Sequence, residues 1–215
     1  MENLHDETGD NINTLFSIGH SNQKMKKFVE LLKKNDITTV LDVRSKPYSK
    51  HSQQFNKEKI KSELEKVNIA YKFMGEVFGA RQKDKSLYSP EGYLDFEKVK
   101  NSPKFLESVA KIIEKISNGE NLSLMCSEKE PINCHRTILI AKAFYDKEID
   151  IKHILIDGNI ISQSKIEEKL LILYNFPHET QSSLDSFKNT EKSNNMDYIQ
   201  KAYEMKNKEI ANHLD

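Results

Sequence analysis

The chain has 215 residues, enough for one domain with a real core and a short appendage. Lys+Arg and Asp+Glu balance at 33 each, so no net field draws the protein to nucleic acid or an anionic membrane, and any such binding must come from a local patch. Charged residues make up 31%, no apolar run approaches the roughly 20 residues that span a bilayer, and the acidic first residues do not suit a signal peptide; a cytoplasmic protein without a membrane partner is expected. With two cysteines, free thiols in a chemical, metal-binding or packing role are expected rather than a structural disulfide.

Residues 1–14 read as an N-terminal extension. Residues 15–19 form a first strand ending in Gly19-His20-Ser21-Asn22, where Ser21 or Asn22 can cap the helix marked by Met25, Phe28, Val29, Leu31 and Leu32. A β-branched run at 37–41 makes a second strand, which ends at Asp42-Val43-Arg44. Residues 45–54 have turn formers and basic side chains but no period, and should be a loop leaving that strand. A helix over about 56–68 buries Ile60, Leu64 and Val67, and a third strand follows at 69–74. Behind it lies a glycine-containing basic loop with Arg81. Helices near 93–100 and 103–117 lead through Asn118-Gly119 to a fourth strand at 122–125. After Cys126 and a polar turn, a helix runs to about Tyr145, capped by Asn133; a fifth strand at 151–156 ends at Asp157-Gly158, and a short helix spans 165–174. The domain is thus set at 15–176. Residues 177–196 read as a polar linker, and 197–215 as a C-terminal helix whose stripe of Ile199, Tyr203 and Ile210 can dock on its own domain or on a second copy, separably from the core activity.

Alternating strands and helices predict an α/β domain with a mostly parallel sheet and helices on both faces, three-layered and Rossmann-like, plus the helical tail. In such sheets ligands bind beyond the carboxyl ends of the strands. That rule brings His20 and Ser21, Asp42 and Arg44, Arg81, Cys126 and Glu128, and Asp157 to one edge, from segments far apart in sequence. The densest of them, Cys126 to Arg136, sets two thiols, an imidazole, a guanidinium and two carboxylates between a strand and a helix N-terminus, where unpaired N–H groups favour anions.

The set Ser17-Ile-Gly-His-Ser-Asn22, Leu41-Asp-Val-Arg-Ser-Lys-Pro47, Phe55-Asn56, Tyr71, Gly79-Ala-Arg81, Tyr93, Met125-Cys-Ser-Glu128, Cys134-His-Arg136, His153-Ile154 and Asp157-Gly158 resembles the Domain of Unknown Function 488 family over about residues 15–174. The resemblance implies a shared α/β domain and a shared polar constellation. It does not bring an activity with it.

From residue types, Cys126, Glu128, His20 and Asp42 are the candidates for nucleophilic or acid–base chemistry. Ser21, Arg44, Arg81, Cys134, His135 and Arg136 are the candidates for holding a ligand. Asp42 and Arg44, at the strand end, are read as pointing to opposite faces, so they need not pair with each other, and His20 is as well suited to fixing its loop as to catalysis. Cys126, Cys134, His135 and His20 would make a four-ligand zinc set, but their spacing departs from common structural sites, so no metal is assigned and the cofactor is left open. No GxGxxG follows the first strand, and Walker, HExxH and GxSxG motifs are missing. A phosphatase-type loop is also a poor fit, because Arg136 is too far from Cys126 and too near Cys134. The expected function is an intracellular hydrolase or transferase acting on a phosphate-bearing ligand, a nucleotide or nucleic acid, with Arg44 and Arg136 gripping the anion. A non-catalytic nucleotide or nucleic-acid binding module, or a partner-binding adaptor using the tail, is the alternative.

Overall fold

Five short runs of β-branched and apolar residues pair side by side in parallel, in a computed structural model that describes residues 13–178 and 190–213. In chain order the elements are β1 (Thr14–Gly19), α1 (Met25–Lys34), β2 (Thr39–Asp42), α2 (Lys57–Glu65), β3 (Ala70–Phe73), α3 (Gly75–Phe78), α4 (Phe96–Lys100), α5 (Pro103–Ser117) and β4 (Leu122–Cys126). A π-helical stretch, Arg136–Ala141, then runs into α6 (Lys142–Tyr145), followed by β5 (Asp150–Ile154), β6 (Ile160–Ser162), α7 (Gln163–Leu173) and α8 (Thr190–Ile210). The sheet order is β3-β2-β4-β1-β5-β6; only β6 pairs antiparallel. Helix α3 and strand β6 are too short to have left a period in the sequence. Most of the expected N-terminal extension and linker lies outside the described residues.

Strand alternation divides the core in two. Ile18, Val40, Met125 and Ile154 face Phe28, Leu31 and Leu32 of α1 and Ile60 and Leu64 of α2. Leu15, Leu41, Leu124 and Ile151 face the opposite layer, which α5 enters with Phe105, Val109, Ile112 and Ile116 at helical spacing. Each such side chain contributes about 1.5–3 kcal/mol by leaving water. Helix α5 starts with Pro103 in its first turn, where no N–H is missed, and Gly119, at φ +84°, turns the chain after its end. Neither Ser21 nor Asn22 caps α1: Lys24 holds that position without a side-chain bond, and Asn133 likewise makes no cap.

The C-terminal helix is longer than expected and belongs to the second core layer. Ala202, Tyr203 and Ala211 are buried there, with Ile199 and Ile210 packed alongside. Asn207 accepts from the Phe96 N–H at 2.9 Å and donates to the Leu94 carbonyl at 2.9 Å. The Tyr203 hydroxyl receives the Gln163 amide at 2.7 Å and donates to Glu167 at 3.2 Å. The stripe thus docks on its own domain, one of the two placements the sequence offers. Among the described residues no helix is long and apolar enough to cross a membrane.

Candidate functional site

Because β4 lies between β1 and β2, the turns that leave these three strands begin next to one another. The ladder continues past the strand ends: His20 N–H donates to the Cys126 carbonyl, Ser21 N–H to Ser127 and Val43 N–H to Met125, at 2.9, 2.9 and 3.0 Å. A cavity of about 610 Å³ opens above this edge. His20, Arg44, Cys126, Cys134 and His135 line its floor, and Ser21, Lys46, Tyr48, Ser49, Ser52, Glu128, Asn133 and Asn212 are among the residues around them.

One corner of the floor is built from sulfur and imidazole. His135 Nε2 lies 3.1 Å from the Val43 carbonyl, which can only accept, so Nε2 carries a hydrogen and Nδ1, a lone pair whenever the ring is neutral, is the nitrogen turned to the thiols. That nitrogen faces Cys126 Sγ at 3.7 Å and Cys134 Sγ at 3.9 Å. The helix after the turn starts with its Arg136 N–H donating to Cys134 Sγ at 3.5 Å, so this thiol takes the place expected for Asn133. A hydrogen bond from Cys134, with the His135 and Arg136 charges behind it, holds the Cys126 thiol well below its ordinary range despite burial. Burial, and the Cys126 sulfur alongside, push Cys134 up. Burial works to lower His135, but the charge and hydrogen bond of Cys126 raise it. Both thiols are free and buried.

Beside this corner sits a second, fully paired cluster. Arg44 grips Asp42 with Nε at 2.9 Å and Nη2 at 2.6 Å, and the Tyr71 hydroxyl donates to the same carboxylate at 2.6 Å. Asp42 and Arg44 thus do depend on each other, contrary to the sequence reading, because residues two apart beyond a strand share a face. Arg44 Nη1 donates to His20 Nε2 at 3.0 Å, so His20 is neutral, with Nδ1–H donating to the Ser21 carbonyl at 2.7 Å. Burial and the Arg44 charge lower its pKa to about 4, and its ring stacks on Phe55 at 4.3 Å between centroids. Both ring nitrogens are occupied, which is the loop-fixing role rather than an acid–base one.

Other candidates are also placed differently from the sequence reading. Arg136 is fully buried below the cavity and donates to the Glu128 carbonyl at 2.7 Å; it holds the turn and cannot grip a ligand. Asp42 lies under Arg44 and does not line the cavity. Arg81 lines a neighbouring cavity, with Nε 3.3 Å from Asn212 Oδ1. Asp157, exposed, ties its own turn through Asn159. Glu128 and Ser21, by contrast, line the cavity as the sequence reading has it, Glu128 exposed and Ser21 partly buried with a φ of 45° that turns the chain away from β1. The sequence reading missed Ser49 and Ser52, whose signal was the run of hydroxyls in the loop after β2. It also missed Asn212, for which the sequence carries no signal.

A family model described as domain of unknown function DUF488 matches residues 24–143, more than half of the chain. No curated protein and no solved structure matches it.

Proposed function

The chain belongs to the DUF488 family, and from the site described above we propose that it is an intracellular enzyme, a hydrolase or transferase, acting on a phosphate-bearing ligand such as a nucleotide or nucleic-acid end. The observation that carries this reading is the Cys126–Cys134–His135 corner, open to a polar cavity and with its imidazole tautomer fixed by a backbone carbonyl. Reactive groups of this kind on the floor of a cleft are the usual mark of a site that does chemistry. The ligand class follows from the lining: hydroxyls and amides of Ser21, Ser49, Ser52, Asn133 and Asn212 suit a hydroxylated, hydrogen-bonding molecule, and Lys46 offers a cation to a phosphate. Tyr48, with its ring largely exposed at the rim, offers a face on which a base can stack. Arg44 and His20 brace the floor, and Arg136 braces the turn.

The test is to incubate the full-length protein with nucleoside mono- and diphosphates and short oligonucleotides, and to follow each by chromatography. One class should be consumed, and Cys126→Ala should slow its consumption by about 100-fold or more while the melting temperature is kept. Saturable binding without consumption of any probe would make the protein a binding module instead. An undiminished rate in Cys126→Ala would remove the corner from the chemistry.

A further inference from the structure

We propose that Cys126, Cys134 and His135 form a three-ligand site for a zinc-type divalent cation, with its fourth position open to the cavity. Among the described residues this is the group of potential ligand atoms that converges, Sγ, Sγ and Nδ1 all lying within 4.8 Å of one another. Tetrahedral zinc with bonds of about 2.3 Å to sulfur and 2.0–2.1 Å to nitrogen requires sulfur–nitrogen edges of about 3.6 Å. The two sulfur–nitrogen edges here are 3.7 and 3.9 Å, close to that requirement, and the two sulfurs lie within 4.8 Å of each other, so a small closing movement completes the ligand triangle.

The surroundings fit a metal centre independently of those distances. A ligating histidine ordinarily donates its other ring N–H to a carbonyl or carboxylate, which fixes the ring and directs the free nitrogen at the metal; His135 does this through Nε2 and the Val43 carbonyl. The Arg136 N–H directed at Cys134 Sγ stabilises negative charge on that sulfur. Two thiolates and an imidazole select zinc over calcium or magnesium, which take oxygen. Binding displaces both thiol protons and leaves a net neutral cluster, a milder arrangement for a buried site than a lone thiolate. All three ligands come from the β4 end and the turn behind it, on the floor of the cavity. A cation there therefore presents its fourth position to whatever the cavity holds, as three-ligand catalytic sites do and closed structural sites do not.

This deepens the reading above, on which only the open position's use depends. Cobalt(II) titrated into reduced, full-length wild-type protein is the probe. The expected result is one equivalent bound, with the near-ultraviolet thiolate-to-cobalt charge-transfer absorption and the intense visible bands of a tetrahedral ion, all displaced by zinc(II) and lost in Cys134→Ser. Because the wild-type spectrum reports ligand type and geometry by itself, a variant that fails to fold leaves the test intact. No binding, weak octahedral bands without charge transfer, or a Cys126–Cys134 disulfide found by mass spectrometry in reduced protein would overturn the site. A bound ion without turnover on the phosphate panel would sink the enzymatic reading alone, and an active protein that binds no cobalt would sink the metal site alone.

Discussion

Acid should unfold this protein through two buried histidines, and the loss can be worked out from their surroundings. His153 is fully buried between Ser17 Oγ on Nδ1 and Gln163 Oε1 on Nε2, both at 2.7 Å. With Nε2–H donating to the Gln163 oxygen, Nδ1 accepts from the Ser17 hydroxyl, and a proton added to Nδ1 turns that hydroxyl into an acceptor and places a charge in the buried core. Burial first, and then the Arg136 charge, depress its pKa to about 3, while burial and Arg44 depress His20 to about 4. In the unfolded chain both return to about 6.5. Between pH 6.5 and those folded values the unfolded state binds more protons, so stability falls as pH falls. Each histidine removes about 1.4 kcal/mol per pH unit, totalling about 3 kcal/mol for His20 and 5 kcal/mol for His153, against a domain stability of about 5–15 kcal/mol. Urea unfolding at pH steps from 7.5 to 4.5 measures this. We expect a slope of about 2.5 kcal/mol per unit below pH 6, roughly halved in His153→Gln whatever that variant's absolute stability. A flat wild-type profile from pH 6.5 to 5, or an NMR titration of the His153 ring near 6.5, would refute the reasoning.

Three further perturbations test the scaffold. A Cβ built on Gly19 would stand 1.9 Å from the Glu128 carbonyl oxygen, so Gly19→Ala should destabilise by about 3 kcal/mol or more in a denaturant melt, and an unchanged midpoint would contradict the close approach of the two turns. Asp42→Asn strips the carboxylate from Arg44 and should cost about 3–5 kcal/mol; a loss below 1 kcal/mol would show that the pair is not held as described. Truncation after Phe176 removes Tyr203 and the Asn207 bonds, and should lower stability by about 4 kcal/mol or more; a truncated protein that melts at the wild-type temperature would restore the tail as a separable element.

The parallel strands were legible because each is a short apolar run bounded by turn formers, and the carboxyl-edge rule then assembled His20, Arg44 and Cys126 from three distant segments. What the sequence could not show was which polar groups would be consumed by the scaffold. Arg136 looks like an anion binder beside a helix start, yet the close approach of the turns at Gly19 brings the Glu128 carbonyl within its reach. The two-residue spacing of Asp42 and Arg44 puts them on one face, which the sequence reading took the wrong way, whereas the Arg44 bond to His20 depends on how two loops meet. The tail hid its role because its apolar stripe is narrow. Its docking rests on Asn207 and Tyr203, polar groups whose partners on Leu94, Phe96 and Gln163 lie far off in the chain.

The central claim is that ligand and reactive groups meet at this edge of the sheet, and a crystal structure of the full-length protein grown with a nucleoside monophosphate tests it most directly. We predict density in the cavity between Lys46 and the Cys126–His135 corner, with the phosphate turned toward that corner; a nucleotide seated instead in the neighbouring cavity at Arg81, or on no defined site at saturating concentration, would contradict it.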